Sequence, residues 1–209
     1  MSYYPVYLEM NGRRCVVVGG GTVAERKVEA LLEAGAAVTV ISPVLTELLK
    51  RWLDERRINH SAENYAPGDI AGYELAFVAT DDSTVNAAVH DEGKNRGVWV
   101  NAADDTAHCD FILPSVIRRG ELVVTISTGG ASPAAARAIR EELDKYFTPD
   151  YAAFVQIASE VRQELRKKFL YASADRWNKA LKGNFRRLIQ EGRDEQAKVL
   201  LLETLGAKS

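Results

Sequence analysis

Apolar residues are distributed along this chain in two rhythms. Short unbroken runs, Cys15-Val16-Val17-Val18, Ala37-Val38-Thr39-Val40-Ile41 and Leu75-Ala76-Phe77-Val78-Ala79, are rich in β-branched residues, the pattern of strands buried on both faces. Between them the spacing turns helical. Val23, Lys27, Ala30, Leu31 and Ala34 recur on one face before Gly35 stops the helix, and Leu45, Leu48, Leu49 and Trp52 share a face of a second helix over Leu45–Leu53. Ile58 to Ala62 reads as a third strand, Thr84 to about Arg96 as a helix stopped by Gly97, and Val98-Trp99-Val100 as a fifth strand. Ahead of all these, Pro5 to Met10 alternates and Asn11-Gly12 is a hairpin dipeptide, so a short ribbon is expected to lead into the first strand. The order β-α-β-α-β-β-α-β predicts an α/β fold with a Rossmann-like, doubly wound parallel sheet.

From Phe111-Ile112-Leu113-Pro114 onward the pattern changes. Glu121 to Ser127 is a strand with no helical crossover before it. Thr128-Gly129-Gly130-Ala131-Ser132-Pro133 is a glycine turn, followed by an Ala/Arg-rich helix from about Ala134 to Lys145. Ser132 suits the N-cap and Pro133 the first helical position. From Tyr151 onward the pattern is helical, with breaks near Ala172, Gly183 and Gly192.

The first strand runs into Gly19-Gly20-Gly21-Thr22-Val23-Ala24, which fits G-x-G-x-x-G/A through Gly19, Gly21 and Ala24. Small residues are needed there because the backbone must turn sharply and approach a pyrophosphate, while the third position packs helix on strand. The helix start then offers N–H groups to the phosphates. The second strand ends in Ser42-Pro43-Val44, with neither an acid for a ribose hydroxyl nor an Arg for a 2′-phosphate. NAD is therefore favoured over NADP, with its adenosine held by hydroxyl and backbone groups. In a doubly wound sheet the ligand lies beyond the carboxyl ends of the strands, which adds Thr80-Asp81-Asp82 and Asn101 to Asp105 to the glycine turn. Asp82-Ser83 is equally a helix cap.

At 209 residues, 46% of them hydrophobic, the chain suits a nucleotide-binding domain of about 110 residues and a smaller second part. No run approaches the roughly 18 apolar residues of a membrane span, and the first residues lack a secretory pattern, so a cytoplasmic protein is expected. Cys15 and Cys109 fit neither a disulfide framework nor a zinc site. The net charge of −2 conceals an asymmetry. Residues 1–113 carry 10 Lys/Arg against 17 Asp/Glu, and residues 114–209 carry 17 against 12. The basic half suits an anionic ligand, or it is the solvated face of amphipathic helices. Trp52, Trp99 and Trp177 read as core rather than as stacking platforms, so no nucleic-acid partner is expected.

Asp104 and Asp105 follow the fifth strand, where a carboxylate can take a proton as hydride leaves for a nicotinamide, its pKa raised in a partly dehydrated cleft. Asp-Asp is also ordinary turn chemistry. His108, Cys109 and Asp110 are near neighbours, but without a second His/Cys pair they make no metal site. His60 and His90 read as surface positions. Ser127, Thr128 and Ser132 have no partner base and are assigned to binding or capping, and Arg137 and Arg140 follow a helix start that favours anions.

Taken together, Gly19 to Lys27, Ala79-Thr80-Asp81-Asp82, Val100-Asn101 to Asp104-Asp105, Phe111 to Pro114 and Ser127 to Pro133 resemble, in order and spacing, the precorrin-2 dehydrogenase family, which includes the N-terminal module of siroheme synthases. The resemblance is close over residues 1–147 and looser beyond. It implies NAD-dependent oxidation of precorrin-2 to sirohydrochlorin, with Fe2+ inserted as a second substrate by some relatives. It implies a Rossmann domain (1–113), a dimerisation segment exchanged between subunits of a homodimer (114–147) and a helical module (148–209). It implies Asp104 as the catalytic carboxylate; Gly19, Gly20, Gly21, Thr22, Val23, Ser42, Pro43, Val44, Thr80 and Asp81 at the cofactor; and Asn101, Thr128, Gly129, Gly130, Ser132 and Arg137 at the tetrapyrrole. Thr128 stands where some relatives have a phosphorylatable Ser. No methyltransferase domain is expected after Ser209. The alternative is a non-catalytic module that senses NAD or a tetrapyrrole.

Overall fold

The computed structural model describes residues 3–103 and 105–206. Five parallel strands, β1 (Arg14–Val18), β2 (Ala37–Ile41), β3 (Ile58–Ser61), β4 (Leu75–Val78) and β5 (Trp99–Ala102), form one sheet in the order β3-β2-β1-β4-β5. Its two faces are read directly off the alternation within β1. Cys15 and Val17 point to the side covered by α1 (Thr22–Glu33) and α2 (Glu47–Asp54), together with Val38, Val40, Leu75 and Phe77. Val16 and Val18 point to the other side, which α3 (Ser83–Arg96) covers, with Ile41, Ala76, Val78 and Val100. Burial on both faces is why these strands are apolar runs without polar alternation.

Strands β1, β2, β4 and β5 finish level, with Val18 opposite both Ile41 and Val78 and Val78 opposite Ala102. The loops that follow them therefore leave from one edge of the sheet. Helix caps fix the helices behind these loops. The Thr46 side chain accepts from the Leu49 N–H at the start of α2, Asp82 accepts from Thr84 and Val85 at the start of α3, and α3 ends on Gly97 with φ of 71°.

Several expectations are corrected. Residues 5–10 form no strand, because both edges of β1 are taken by β2 and β4; Met10 and Arg13 instead close a turn. The buried stripe of α1 is Ala24, Val28 and Leu31, rotated by about one residue from the expected face, while Ala30 and Ala34 are exposed. Trp99 begins β5 and is 52% exposed, not core.

The chain divides after Leu113, and residues 114–209 form a second unit. Here β6 (Ser115–Arg119) and β7 (Leu122–Ile126) make an antiparallel hairpin turning on Gly120, whose φ is 57°. Strand β6 was not anticipated. Its signal is the two-residue Gly-Glu loop between β-branched runs. Helix α4 (Pro133–Tyr146) begins at Ser132, whose hydroxyl accepts from the Ala135 N–H at 3.2 Å, and packs on the hairpin. Helices α5 (Tyr151–Lys167), α6 (Ala174–Ala180), α7 (Asn184–Gln190) and α8 (Asp194–Gly206) share a core that includes Ile157, Val161, Leu165, Phe185, Leu188 and Leu201. No helix among the described residues is long and apolar enough to cross a membrane.

Candidate functional site

The loop after β1 is shaped by what it cannot accommodate. Gly19 adopts φ of 113°, and a Cβ there would overlap the Ala79 carbonyl oxygen and lie 2.8 Å from its carbon. A Cβ at Gly20 would overlap the Val44 carbonyl oxygen and lie 2.7 Å from Ser42 Oγ. The loops after β1, β2 and β4 are thus in backbone contact, a closeness that only glycine permits. Gly21 differs. It is the N-cap of α1, with φ of −89° and no side-chain cap bond, and its Cβ position has no atom within 4 Å. Beneath it Ala24 is fully buried against the sheet. The first-turn N–H groups of α1 cannot find partners inside the helix, and a positive dipole end accompanies them. A tight turn, an open approach and an uncapped helix start together fit a dinucleotide pyrophosphate.

Ser42, Pro43 and Val44 close one side of this turn. Ser42 is buried; its Oγ donates to the Val44 carbonyl at 2.8 Å, and its own carbonyl accepts from His60 Nε2 at 2.8 Å. His60 is thus half-buried and engaged rather than a plain surface position. The exposed surface of this loop is apolar, with Val44 70% exposed. On the other side, Thr80 Oγ1 accepts from the Asp82 N–H at 3.2 Å and Asp81 is exposed.

The loop that leaves β5 holds the remaining chemistry of the first unit. Asp104, the expected catalytic carboxylate, lies outside the described residues. Around it the chain is anchored: the Ala103 N–H donates to the Val78 carbonyl at 2.8 Å, and Asp110 both donates its N–H to the Val100 carbonyl and accepts from the Val100 N–H through Oδ2, each at 2.8 Å. Asp105 Oδ2 accepts from His108 Nδ1 at 2.7 Å and from Asn86 Nδ2 at 3.4 Å. The hydrogen bond from His108 holds the Asp105 carboxyl below its ordinary range, opposite to the rise expected for a carboxylate in this loop. Cys109 Sγ lies 3.2 Å from both the N and O of Ala102 and 3.3 Å from the Asp105 carbonyl, and burial pushes its thiol pKa up. Asn101, expected at the substrate, is buried. Its Nδ2 donates to the Phe111 carbonyl at 2.9 Å, and its Oδ1 faces Lys27 Nζ at 3.4 Å.

Three side chains here escaped sequence reasoning. Asn86 and His90 lie four residues apart on α3, on the buried stripe they share with Val89 and Gly93. His90 is buried, not a surface position, and its ring meets that of His108 edge-on at 5.3 Å. Lys27 leans from α1 toward Asn101, 5.9 Å from the centre of the Phe77 ring. The available signal was polar residues at i and i+4 on the inner face of a helix. Among the described residues no group of three or more His, Cys, Asp or Glu could hold a metal.

In the second unit the expected substrate residues surround the start of α4. Thr128 Oγ1 donates to the Ser132 carbonyl and accepts from the Ser132 N–H, both at 3.0 Å, which closes the turn through Gly129 and Gly130 with φ of 62° and 83°. The hydroxyl of Thr128 is therefore occupied within the turn. Arg137 is exposed on the first turns of α4.

A family model described as "Putative NAD(P)-binding" matches residues 6–115, and one described as the central part of sirohaem biosynthesis proteins matches residues 119–146. The chain is 40% identical over 199 residues to a siroheme synthase of Nitrosococcus oceani and 38% identical over 204 residues to one of Photobacterium profundum. These alignments cover 94% and 97% of this chain but 42% and 44% of those proteins, so it spans less than half their length. A solved structure of a precorrin-2 dehydrogenase, SirC, is 27% identical and covers 98% of this chain and 99% of its own, with a TM-score of 0.76.

Proposed function

The chain belongs to the NAD(P)-binding family whose model spans residues 6–115, and on that premise we propose that it oxidises precorrin-2 to sirohydrochlorin with NAD as hydride acceptor. The observation that carries the NAD part is the glycine turn. Gly19 and Gly20 are pressed against Ala79 and Val44, while Gly21 is open above an uncapped helix start. Gly19, Gly20, Gly21, Thr22 and Val23 would hold the pyrophosphate, and the exposed Pro43 and Val44 would support the adenosine beside Thr80 and Asp81. No cation stands in residues 42–44 to meet a 2′-phosphate, which supports NAD over NADP. The substrate part is supported by the siroheme synthase relatives and the precorrin-2 dehydrogenase likeness.

When bound, NAD supplies a carbon that accepts hydride from the tetrapyrrole. The balance of the reaction requires a base for the proton lost with it, and the resemblance assigns that role to Asp104, on the loop after β5. The tetrapyrrole is a polycarboxylate. At the start of α4, Gly130 through its backbone N–H, Ser132 through its hydroxyl and Arg137 through its guanidinium would bind its carboxylates, while Thr128 and Gly129, whose turn is closed by bonds to Ser132 and Ser127, would shape the approach. With Thr128 Oγ1 occupied by Ser132, its contribution is to hold the turn.

The same reading extends to three finer points. A homodimer built through residues 114–147 is what the resemblance implies for this segment, which the model of the central part of sirohaem biosynthesis proteins matches over residues 119–146. Two free cysteines support a cytoplasmic setting. Fe2+ would be a second substrate, received by the same carboxylate rather than by a resident metal site. Asp104→Ala tests the catalytic assignment: it should bind NAD with the wild-type Kd yet lose sirohydrochlorin formation by about a hundredfold or more, as general-base removal does. Normal turnover would remove Asp104 from the mechanism.

A further inference from the structure

We infer that His60 is a positioning residue for the cofactor: its ring, bonded to the Ser42 carbonyl, sets the path of the loop 42–44 and with it the affinity for the adenosine half of NAD; this rests on the placement of NAD proposed above. The need for such a residue arises where the sheet stops. Strand β2 runs beside β3 in parallel register as far as Ile41 opposite Ser61, and a bond from the Ser42 N–H to the Ser61 carbonyl at 3.1 Å extends the ladder by one step. A continued parallel ladder would bring the Glu63 N–H to the Ser42 carbonyl, but β3 ends at Ser61. Among the described residues no backbone N–H reaches that carbonyl. Ser42 is more than nine-tenths buried, and a buried carbonyl without a donor is costly. His60 supplies the donor from its side chain, with Nε2 at 2.8 Å from the oxygen. Because a carbonyl only accepts, Nε2 carries the hydrogen.

What this bond holds is one wall of the cofactor site. Ser42 Oγ donates to the Val44 carbonyl at 2.8 Å and accepts from the Val44 N–H at 3.4 Å, so the residues on either side of Pro43 are tied together. Pro43 has no N–H with which to tie the loop itself. On the inner side, the Val44 carbonyl and Ser42 Oγ press on Gly20. On the outer side, Pro43 and Val44 are exposed and would meet the adenosine. His60 thus acts on the ligand through Ser42 and Val44. An apolar side chain would fill the same half-buried place on the outermost strand, opposite Val40, but would leave the Ser42 carbonyl without its donor. The glycine turn has anchors of its own, the Gly19 N–H on the Ile41 carbonyl at 2.9 Å and the close contact of Gly19 with Ala79. Release of the loop should therefore spare the pyrophosphate.

Three variants separate positioning from packing. His60→Leu keeps the volume and loses the donor, His60→Asn keeps a polar residue whose amide is too short to reach Ser42, and His60→Gln carries an amide that can donate at nearly the reach of Nε2. Calorimetry gives the Kd for NAD, for adenosine monophosphate and for inorganic pyrophosphate, and anaerobic kinetics with precorrin-2 at saturating NAD give kcat. In His60→Leu and His60→Asn the Kd for NAD and for adenosine monophosphate should rise together by about tenfold, the effect of one hydrogen bond. Pyrophosphate binding and kcat should stay within about twofold of wild type, since only ground-state binding is lost. His60→Gln should restore most of the affinity. Wild-type affinity for NAD in His60→Leu or His60→Asn overturns the proposal and leaves the placement of NAD standing. An equal loss for pyrophosphate also overturns it, because it reports a general loosening of the first unit. Wild-type protein that binds neither NAD nor adenosine monophosphate overturns both.

Discussion

Two adjacent glycines should separate folding from cofactor binding. Gly21 has φ of −89°, and its Cβ position meets nothing within 4 Å. Alanine there gains from reduced freedom of the unfolded chain and loses slightly as a helix N-cap, so Gly21→Ala should stay within about 0.5 kcal/mol of wild type. For a chain of this size that is a melting shift of about 1–2 °C. The added methyl nevertheless occupies the approach to the uncapped start of α1. Displacing the pyrophosphate from one charge-assisted N–H bond costs about 1.5–3 kcal/mol, a Kd for NAD raised about 10- to 150-fold. Gly20→Ala should do the reverse in order of cause. Its Cβ would overlap the Val44 carbonyl oxygen and crowd Ser42 Oγ at 2.7 Å, and backbone cannot yield as a side chain can. Overpacking of this kind costs about 1–3 kcal/mol, a fall of about 3–10 °C in Tm, and weakens binding only as a consequence. Thermal unfolding of both variants, paired with calorimetric titration by NAD, gives the two numbers. Wild-type affinity in Gly21→Ala, or wild-type stability in Gly20→Ala, would refute the assignment of this turn.

Two further outcomes follow from ionisable groups. His108 lowers the pKa of Asp105, so its stabilising contribution is present above the ordinary carboxylate pKa of about 3.9 and is lost as pH falls through the lower folded value. Urea unfolding of wild type and Asp105→Asn should therefore show a gap that is steady at neutral pH and closes below about pH 4; a gap that widens on acidification contradicts the pairing. Burial pushes the Cys15 thiol up to about 11 and also raises Cys109. Alkylation at pH 8 should label neither in the native protein and both in denaturant, and rapid native labelling of Cys15 would mean that β1 is not the central strand.

The strands and the glycine turn were legible because local and global demands coincide in them. Cys15 to Val18 is apolar for burial on both faces, Gly19 is pressed against Ala79 and Ala24 against the sheet, and Gly21 stands open at the start of α1. What stayed hidden depends on partners remote in sequence. Residues 5–10 alternate as a strand does, yet no sheet edge is left beside β1. The face of α1 was misjudged by one residue because Val23 and Lys27 lie at the border of the stripe. Trp99 looked like core, but it starts a strand on the outer edge of the sheet. The cluster of Asn86, His90, Asp105 and His108 joins residues up to 22 positions apart, and neither pair alone carries a motif. Ser42, which the resemblance places at the cofactor, donates its Oγ to the carbonyl two residues on, a bond that no sequence pattern announces.

A two-electron oxidation of precorrin-2 by NAD on this chain has two products that can be followed at once. Anaerobic incubation of the purified protein with precorrin-2 and NAD⁺, following sirohydrochlorin and NADH together, tests it most directly, and adding Fe2+ afterwards tests the second substrate. NADH and sirohydrochlorin are expected in equal amounts, with NADP⁺ a poorer acceptor. Binding of NAD or of the tetrapyrrole with no NADH formed would contradict this expectation and leave a module that senses its ligands without converting them.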